Sequence, residues 1–466
     1  MHVRMMCKID GLSGCGASRD FSNDLIKSGL SAVGNVCEIQ QLVTPTQSYM
    51  KRRSFLANTT LVGAGMAAGS SFAIAQGGGS RKIKFGLIGC GGRGKGAARD
   101  FREACKILGH EAELVAVADA FLPAALAAGK QNGLSEDRCY GGFESYHKVL
   151  ATDCEFVLMA TPPCFRPLHF AAAVEAGKHC FIEKPVGVDA PGCRSIIATG
   201  EKAAAKGLAV VTGTQRRHTE GYLRNKALID AGAIGAIRGG VVQWNDRVPW
   251  TKHRMPGESD ADYMARNWLN FTETSGDHIV EQHVHNLDVA VWFIGRLPVT
   301  ALGFGGRARR ETGNMFDFFS IDYDFGDGVH IHSQCRQLQG AYARTGEILT
   351  GAEGECLGGG KITGRKIDVP EIKLDTDNGL VQEHVDMIRS VMNGEPLNHS
   401  RRIAELTAVA IMGRISAYTG QLVRYGDLMS NESSPFYSQA CNPTAEDFEK
   451  GTVVVPPEVP PVPGTA

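Results

Sequence analysis

Lys84-Phe85-Gly86-Leu87-Ile88-Gly89-Cys90-Gly91-Gly92-Arg93-Gly94 reads as an apolar strand that stops at a glycine turn and opens into a helix running to about Leu108. Gly89, Gly91 and Gly94 fill the spacing G-x-G-x-x-G. The first allows a tight turn, the second lets backbone approach a pyrophosphate, and the third lets the helix pack closely on its strand. Gly92 and Arg93 complete the turn, where the unpaired N–H groups of the helix N-terminus favour phosphate. In a chain with 57 glycines the spacing alone is weak evidence, so context decides. Leu114 to Ala118 reads as the second parallel strand and ends in Asp119. A carboxylate there suits the ribose hydroxyls of NAD and repels a 2′-phosphate. No arginine follows in Ala120-Phe121 to welcome NADP, so NAD is the expected cofactor and NADP the alternative.

The 466 residues allow two or three domains and ample core. A formal net charge of −1 without a basic block argues against nucleic acid as a partner. No apolar run of the mature region is long enough to span a membrane. Lys51-Arg52-Arg53-Ser54-Phe55-Leu56, the mildly apolar Leu61–Ile74 and the small-residue site Ala73-Ile74-Ala75 follow the order of an export signal. The paired arginines resemble a twin-arginine signal, which implies an exported, periplasmic protein. Residues 1–49 are then an upstream extension without a structural role, 50–75 the signal, and the mature chain begins near Gln76. The 13 cysteines include no C-x-x-C pair; Cys7, Cys15 and Cys37 precede the signal, Cys90 is inside the glycine turn and Cys154 and Cys180 sit in or beside expected strands, so most read as buried small hydrophobes.

From Arg81 to about Gly213 strand and helix alternate, which predicts a parallel sheet covered on both faces. Strands end at Ala160-Thr161-Pro162 and at Glu183-Lys184-Pro185, and ligands in such sheets lie at the carboxyl ends of strands. One crevice therefore collects the candidate cofactor contacts Gly89, Gly91, Gly92, Arg93, Gly94, Asp119, Thr161, Pro162, Glu183 and Lys184. Residues 214–425 read as a second α/β domain. Its strands at 237–244, 299–306, 316–325 and 328–336 look antiparallel, with poor alternation in the last pair, and helices at about 380–393 and 401–419 close it. Residues 430–466 turn polar and then proline-rich, which predicts an extended tail, mobile or draped over a neighbour.

Lys184 is a candidate catalytic residue: a lysine beside a nicotinamide can hydrogen-bond a substrate hydroxyl and help remove its proton. In Gly276–Asp288, Val280, Val284 and Leu287 form a helical core stripe, with Asp277, Glu281, His285 and Asp288 on the adjoining face. A carboxylate four residues before a histidine can orient the ring and raise its basicity, which makes His285 a candidate general base and Glu281 its partner. His278, Glu281, His283 and His285 are potential metal ligands, but no H-E-x-x-H spacing is present and His283 points away from His285 on a helix, so no metal centre is expected. Arg216, past a strand end, is a candidate contact for an anionic or polyhydroxy substrate or else half of a salt bridge. Trp244 and Trp268 wall a sugar pocket or belong to the core.

Gly89–Gly94, Asp119, Ala160-Thr161-Pro162, the run Glu175-Ala176-Gly177-Lys178-His179 leading into Glu183-Lys184-Pro185, and the segment holding Glu281 and His285 resemble the glucose–fructose oxidoreductase/inositol dehydrogenase/MocA family over roughly residues 82–420. The resemblance implies an α/β fold: an N-terminal Rossmann domain and a C-terminal α/β domain whose large, open, mostly antiparallel sheet often joins a homodimer or homotetramer. It implies hydride transfer between NAD or NADP and a carbon of a sugar or cyclitol, with Lys184 and His285 catalytic and contacting substrate. Two departures stand out. The family's aspartate is Glu281 here, and a histidine usual after the Thr-Pro strand end is replaced by Arg166. The expected function is an exported oxidoreductase with tightly held NAD. Its rivals are an NAD-dependent glycoside hydrolase of the α-N-acetylgalactosaminidase kind and a non-catalytic dinucleotide-binding protein.

Overall fold

The computed structural model describes residues 79–464. The upstream extension and the export signal expected at 1–49 and 50–75 lie outside the described residues.

Six strands form the first sheet: β1 Lys82–Ile88, β2 Glu111–Asp119, β3 Cys139–Gly141, β4 Phe156–Met159, β5 His179–Ile182 and β6 Val210–Thr212. Their order is β3-β2-β1-β4-β5-β6, all neighbours parallel. This is the doubly wound order whose switch point falls between β1 and β4. The helices α1 Gly92–Ile107, α2 Leu122–Gln131, α3 Tyr146–Leu150, α4 Arg166–Glu175 and α5 Ala190–Ala205 run between strands. β4 is wholly apolar and buried, and β1 is so from Phe85 to Ile88, as strands covered on both faces must be.

The second sheet has seven strands: β7 Ile237–Asp246, β8 Thr300–Gly306, β9 Phe318–Asp324, β10 His330–Gln337, β11 Arg344–Gly351, β12 Glu355–Cys356 and β13 Val423–Arg424. Their order is β12-β11-β7-β10-β9-β8-β13. The sheet is mixed and mostly antiparallel, and β7 with β10 is the parallel pair. A long crossover between β7 and β8 permits that pairing. It contains α6's successors: after α6 Glu220–Asp230 and β7 come α7 Asp260–Arg266, α8 Thr272–Ser275, α9 His278–Glu281 and α10 Val284–Ile294. The poor alternation expected of β9 and β10 is regular in burial: Phe319, Ile321, Tyr323, Ile331, Ser333 and Cys335 all face inward. Helix α12 Ser400–Thr419 covers that face, and the Tyr323 hydroxyl donates to the Val409 carbonyl at 3.2 Å.

Two expectations about chain allocation need correction. Helix α11 Gly379–Met392 does not close the second domain. Its stripe Val381, Val385 and Ile388 packs into one core with Phe85, Phe101 and Phe181 of the first. Residues 430–464 are not a loose tail either. After α13 Tyr425–Met429 the chain runs back over both domains, held where Arg194 stacks on Tyr437 with 3.6 Å between guanidinium and ring centre. Cys441 N–H donates to Asp189 at 2.9 Å. Helix α14 Ala445–Lys450 then buries Phe448 between Phe143 and Phe165. Beyond it Val455 N–H donates to Asp260 at 3.0 Å, and Glu458 accepts from the Tyr263 hydroxyl at 3.1 Å. A third core results, joining first-domain loops (Cys164, Phe165), crossover residues (Tyr263, Met264) and this strap (Phe448, Val453). The ten cysteines among the described residues are free thiols, nine of them buried.

Candidate active site

The glycine turn is shaped by close approach. Gly89 has φ +93°, and a Cβ there would stand 2.7 Å from the backbone of Ala160 and Thr161. A Cβ on Gly94 would stand 1.8 Å from the Gly89 carbonyl oxygen. A Cβ on Gly91 would meet nothing within 4 Å, because that face looks into open space. Asp119, at the end of β2, accepts the Cys90 N–H at 2.7 Å and the Phe121 N–H at 3.0 Å. Burial raises its carboxyl pKa, and those two N–H groups oppose the rise. Each carboxylate oxygen keeps a lone pair for a further donor.

A cavity of about 300 Å³ opens beside the turn. Among the expected cofactor contacts, Gly89, Gly91, Asp119, Thr161 and Pro162 line it. Gly92, Gly94, Arg93, Glu183 and Lys184 do not. Arg93 and Glu183 are ion-paired with each other at 2.7 Å, and Arg93 also holds the buried Asp100 at 2.9 Å. Their ion pair ties the first turn of α1 to the residue after β5.

At the carboxyl end of β5 stands Lys184, followed by a cis bond to Pro185. Its ammonium donates to the Glu281 backbone carbonyl at 2.5 Å and to Glu281 Oε1 at 3.1 Å. Both side chains are 13% exposed. His285 is buried, its ring stacked beside Trp244 with centroids 6.0 Å apart. Burial first, then the charges of Lys184 and Arg216, hold the imidazole pKa well below its usual value. The ring is therefore a neutral base near pH 7.

The segment around these residues is not the single helix expected from its periodicity. Helix α9 stops at Glu281, and α10 starts at Val284. The expected polar face of Asp277, Glu281, His285 and Asp288 is thereby dispersed. Asp277 sits at φ 70° and binds His278. Asp288 grips Arg217 through three contacts of 2.6–2.9 Å. Glu281 faces Lys184 and makes no hydrogen bond to His285, so its partner is the lysine and not the imidazole. His283 and His278 point elsewhere: His283 Nε2 meets the Ser333 hydroxyl at 2.7 Å. Among the described residues no three His, Cys, Asp or Glu side chains converge as a metal site would need.

Arg216 is half of a salt bridge: its guanidinium meets Glu347, a buried carboxylate that also accepts from Asn286 at 2.6 Å and Tyr222 at 3.3 Å. The same guanidinium lies 5.9 Å from the Trp244 ring centre, behind His285. Trp244 thus packs with His285 and Arg216, whereas Trp268 lines the cavity. Two residues gain roles that the sequence did not suggest. Buried Arg166 donates through Nε to the Thr161 carbonyl at 3.0 Å and through its terminal nitrogen to the Pro185 carbonyl. It ties the loop after β4 to the loop carrying Lys184. His169, one turn along α4, meets the Thr161 hydroxyl at 3.2 Å and lines the cavity, with burial driving its pKa to about 3. Its signal was the three-residue spacing from Arg166, which puts both on one helix face.

Residues 83–212 match the oxidoreductase-family model for the NAD-binding Rossmann fold of GFO/IDH/MocA proteins, and residues 222–355 match the GFO/IDH/MocA C-terminal domain. The chain belongs to the Gfo/Idh/MocA oxidoreductase family. An inositol 2-dehydrogenase of Burkholderia ambifaria (strain MC40-6) is 36% identical over 254 residues, 53% of this chain and 66% of that protein. The chain spans about half the length of the curated relatives it matches. Among solved structures, GenD2 from gentamicin A biosynthesis, in complex with NAD, has a TM-score of 0.59 at 18% identity. The pair share 74% of this chain and 98% of that one. The aldose–aldose oxidoreductase from Caulobacter crescentus, complexed with glycerol, has a TM-score of 0.56 at 18% identity, covering 74% and 100%. These two likenesses show a shared fold. NAD fits the first domain here on its own geometry: Gly91 leaves open the space a side chain would fill, and Asp119 faces the cavity where a 2′-phosphate would meet a negative charge.

Proposed function

We propose that this protein oxidises a secondary hydroxyl of a sugar or cyclitol, with NAD held in the cavity beside Gly91 and Asp119. The observation that carries the reading is the pairing of Lys184 with Glu281 next to a neutral, buried His285 at the carboxyl end of the parallel sheet. Bound NAD supplies a two-electron acceptor for the hydride of the substrate carbon. Lys184 donates a hydrogen bond to the substrate oxygen. Glu281 fixes that ammonium, leaving its remaining N–H free for the substrate. His285 takes the hydroxyl proton, a task for which an imidazole held neutral is suited. Trp244 supports the ring from behind.

The experiment is to load purified protein with NAD and follow nicotinamide absorbance across sugars, cyclitols and glycosides, beside the variant Lys184→Met. Reduction by one substrate class, lost in Lys184→Met by at least a hundredfold, supports the reading. Glycoside cleavage without lasting reduction, or turnover surviving in the variant, would sink it.

Two further parts of the proposal rest on other grounds. Export to the periplasm by the twin-arginine route rests on Arg52-Arg53 and the Ala73-Ile74-Ala75 site. Assembly as a homodimer or homotetramer rests on the uncovered face of the second sheet, where Leu302 and Phe304 are 49% and 66% exposed.

A further inference from the structure

The cavity beside the glycine turn has walls from both domains. Facing Gly89, Gly91 and Asp119 stand Trp250, Lys252, Arg266 and Trp268 of the crossover between β7 and β8. The two indoles pack edge to face, with centres 5.9 Å apart. The two cations differ in what they have left to offer. Arg266 is committed: Nε and a terminal nitrogen each reach Glu258 at 2.6 Å, and the latter also reaches the His253 carbonyl at 2.7 Å. The Lys252 ammonium makes no hydrogen bond or ion pair with any described residue. Its backbone, by contrast, is fixed, because the N–H donates at 2.9 Å to Asn267, a fully buried amide that also accepts from Asn270 at 2.8 Å. A free cation on an anchored backbone therefore faces the turn whose N–H groups suit a diphosphate.

We infer that the C-terminal domain completes the dinucleotide site, with Lys252 as a ligand of the NAD diphosphate and Trp250 and Trp268 as its apolar wall. The inference rests on the reading of this cavity as the NAD site. The diphosphate is the assignment because it is the anionic part of NAD and the glycine turn shares the cavity with Lys252. A cation opposite the turn divides the phosphate charge between two domains, so release of the cofactor requires the crossover to move. Loss of one charged contact of this kind costs about tenfold or more in affinity.

Two of the protein's four tryptophans line the cavity, so intrinsic fluorescence reports its occupancy. NAD, NADP, ADP-ribose and adenosine are titrated into protein stripped of nucleotide, in wild type, Lys252→Met and Lys252→Arg. The inference expects Lys252→Met to raise the Kd of NAD and ADP-ribose at least tenfold and to leave that of adenosine, which has no phosphate, within twofold. Lys252→Arg should restore the affinity to within about threefold. Lys252 is exposed, so its variants should unfold at the wild-type urea midpoint. NAD affinity unchanged in Lys252→Met, or a loss confined to NADP, would overturn the inference, the latter by placing the cation at the 2′-position. A wild type that binds none of the four would instead refute the reading of the cavity itself.

Discussion

Replacing Arg216 by Met leaves Glu347 as a carboxylate that is 1% exposed, with two neutral donors, Asn286 and Tyr222, and no cation. At a 4 Å separation and an effective dielectric near 20, a pair of unit charges is worth about 4 kcal/mol. Breaking a buried pair by removing one partner typically costs about 3–5 kcal/mol, since the remaining charge stays desolvated. A loss of about 3 kcal/mol at pH 7 is therefore expected, a large share of a domain's roughly 5–15 kcal/mol. The sign of its pH dependence follows from Glu347. Burial already raises its folded pKa, and Arg216 opposes that rise. Without the arginine the folded pKa climbs further, so the stability tied to the protonated form is fully present at low pH and is lost as pH rises through the raised value. The penalty should thus shrink steadily as the medium is acidified from pH 8 toward 5. Urea unfolding across that range, followed by far-ultraviolet circular dichroism, measures it. The double variant Arg216→Met/Glu347→Gln, which keeps an amide for Asn286 and Tyr222, should recover most of the loss. A penalty below 1 kcal/mol, or one equal at pH 8 and pH 5, would refute the account of Glu347 as a charge held in place by Arg216.

The other predictions concern the turn, the base, the buried histidines and Arg166. Gly91→Ala should leave the unfolding midpoint unchanged while weakening NAD binding, because its Cβ enters the cavity, whereas Gly94→Ala should destabilise the first domain outright, since its Cβ would strike the Gly89 carbonyl. A pH profile of kcat/KM should keep its acid limb well below 6.5, since His285 stays neutral there; an acid limb at 6.5 or above would remove His285 as the base. His169 and His283, both with pKa lowered by burial to about 3, are neutral when folded and charge when unfolded below 6.5. Each should therefore subtract roughly 1.4 kcal/mol of stability per pH unit as pH falls from 6.5 toward 3, and calorimetric proton uptake on unfolding at pH 5 checks this. Arg166→Met should lower kcat more than it raises KM, by freeing the loop that carries Lys184. An equal change in both would mark it as merely structural.

Local rules carried the first domain well. The glycine turn, Asp119 and the strand ends depend on residues close in sequence and on sterics that leave one solution, as Gly89 and Gly94 show. Strand β3 escaped because Cys139-Tyr140-Gly141 is too short for a pattern, and β11 because Arg344–Gly351 offers two apolar residues in eight. The partner of Glu281 was illegible for another reason. Periodicity treats residues 277–288 as one helix, but Asp277 at positive φ and the break at Gln282-His283 rotate Glu281 toward a lysine 97 positions earlier. Composition likewise misread residues 430–464. Prolines predict extension, yet Phe448 docks the segment in the slot between Phe143 and Phe165, and Tyr437 stacks on Arg194. Allocation of α11 failed because an apolar stripe announces burial without naming the surface that buries it.

The strap has a consequence in time as well as in space. Phe448 is translated 182 residues after Arg266, and it closes the core that joins the crossover to the loops around the cavity. At about 5–20 residues per second the ribosome takes roughly 10–40 s to cover that distance. Throughout this interval the cavity's two walls meet only through their own contacts, without the strap's share of the core. The crossover and the first-domain loops therefore reach their final packing only after α14, more than 170 residues downstream of the cavity's second wall, has docked.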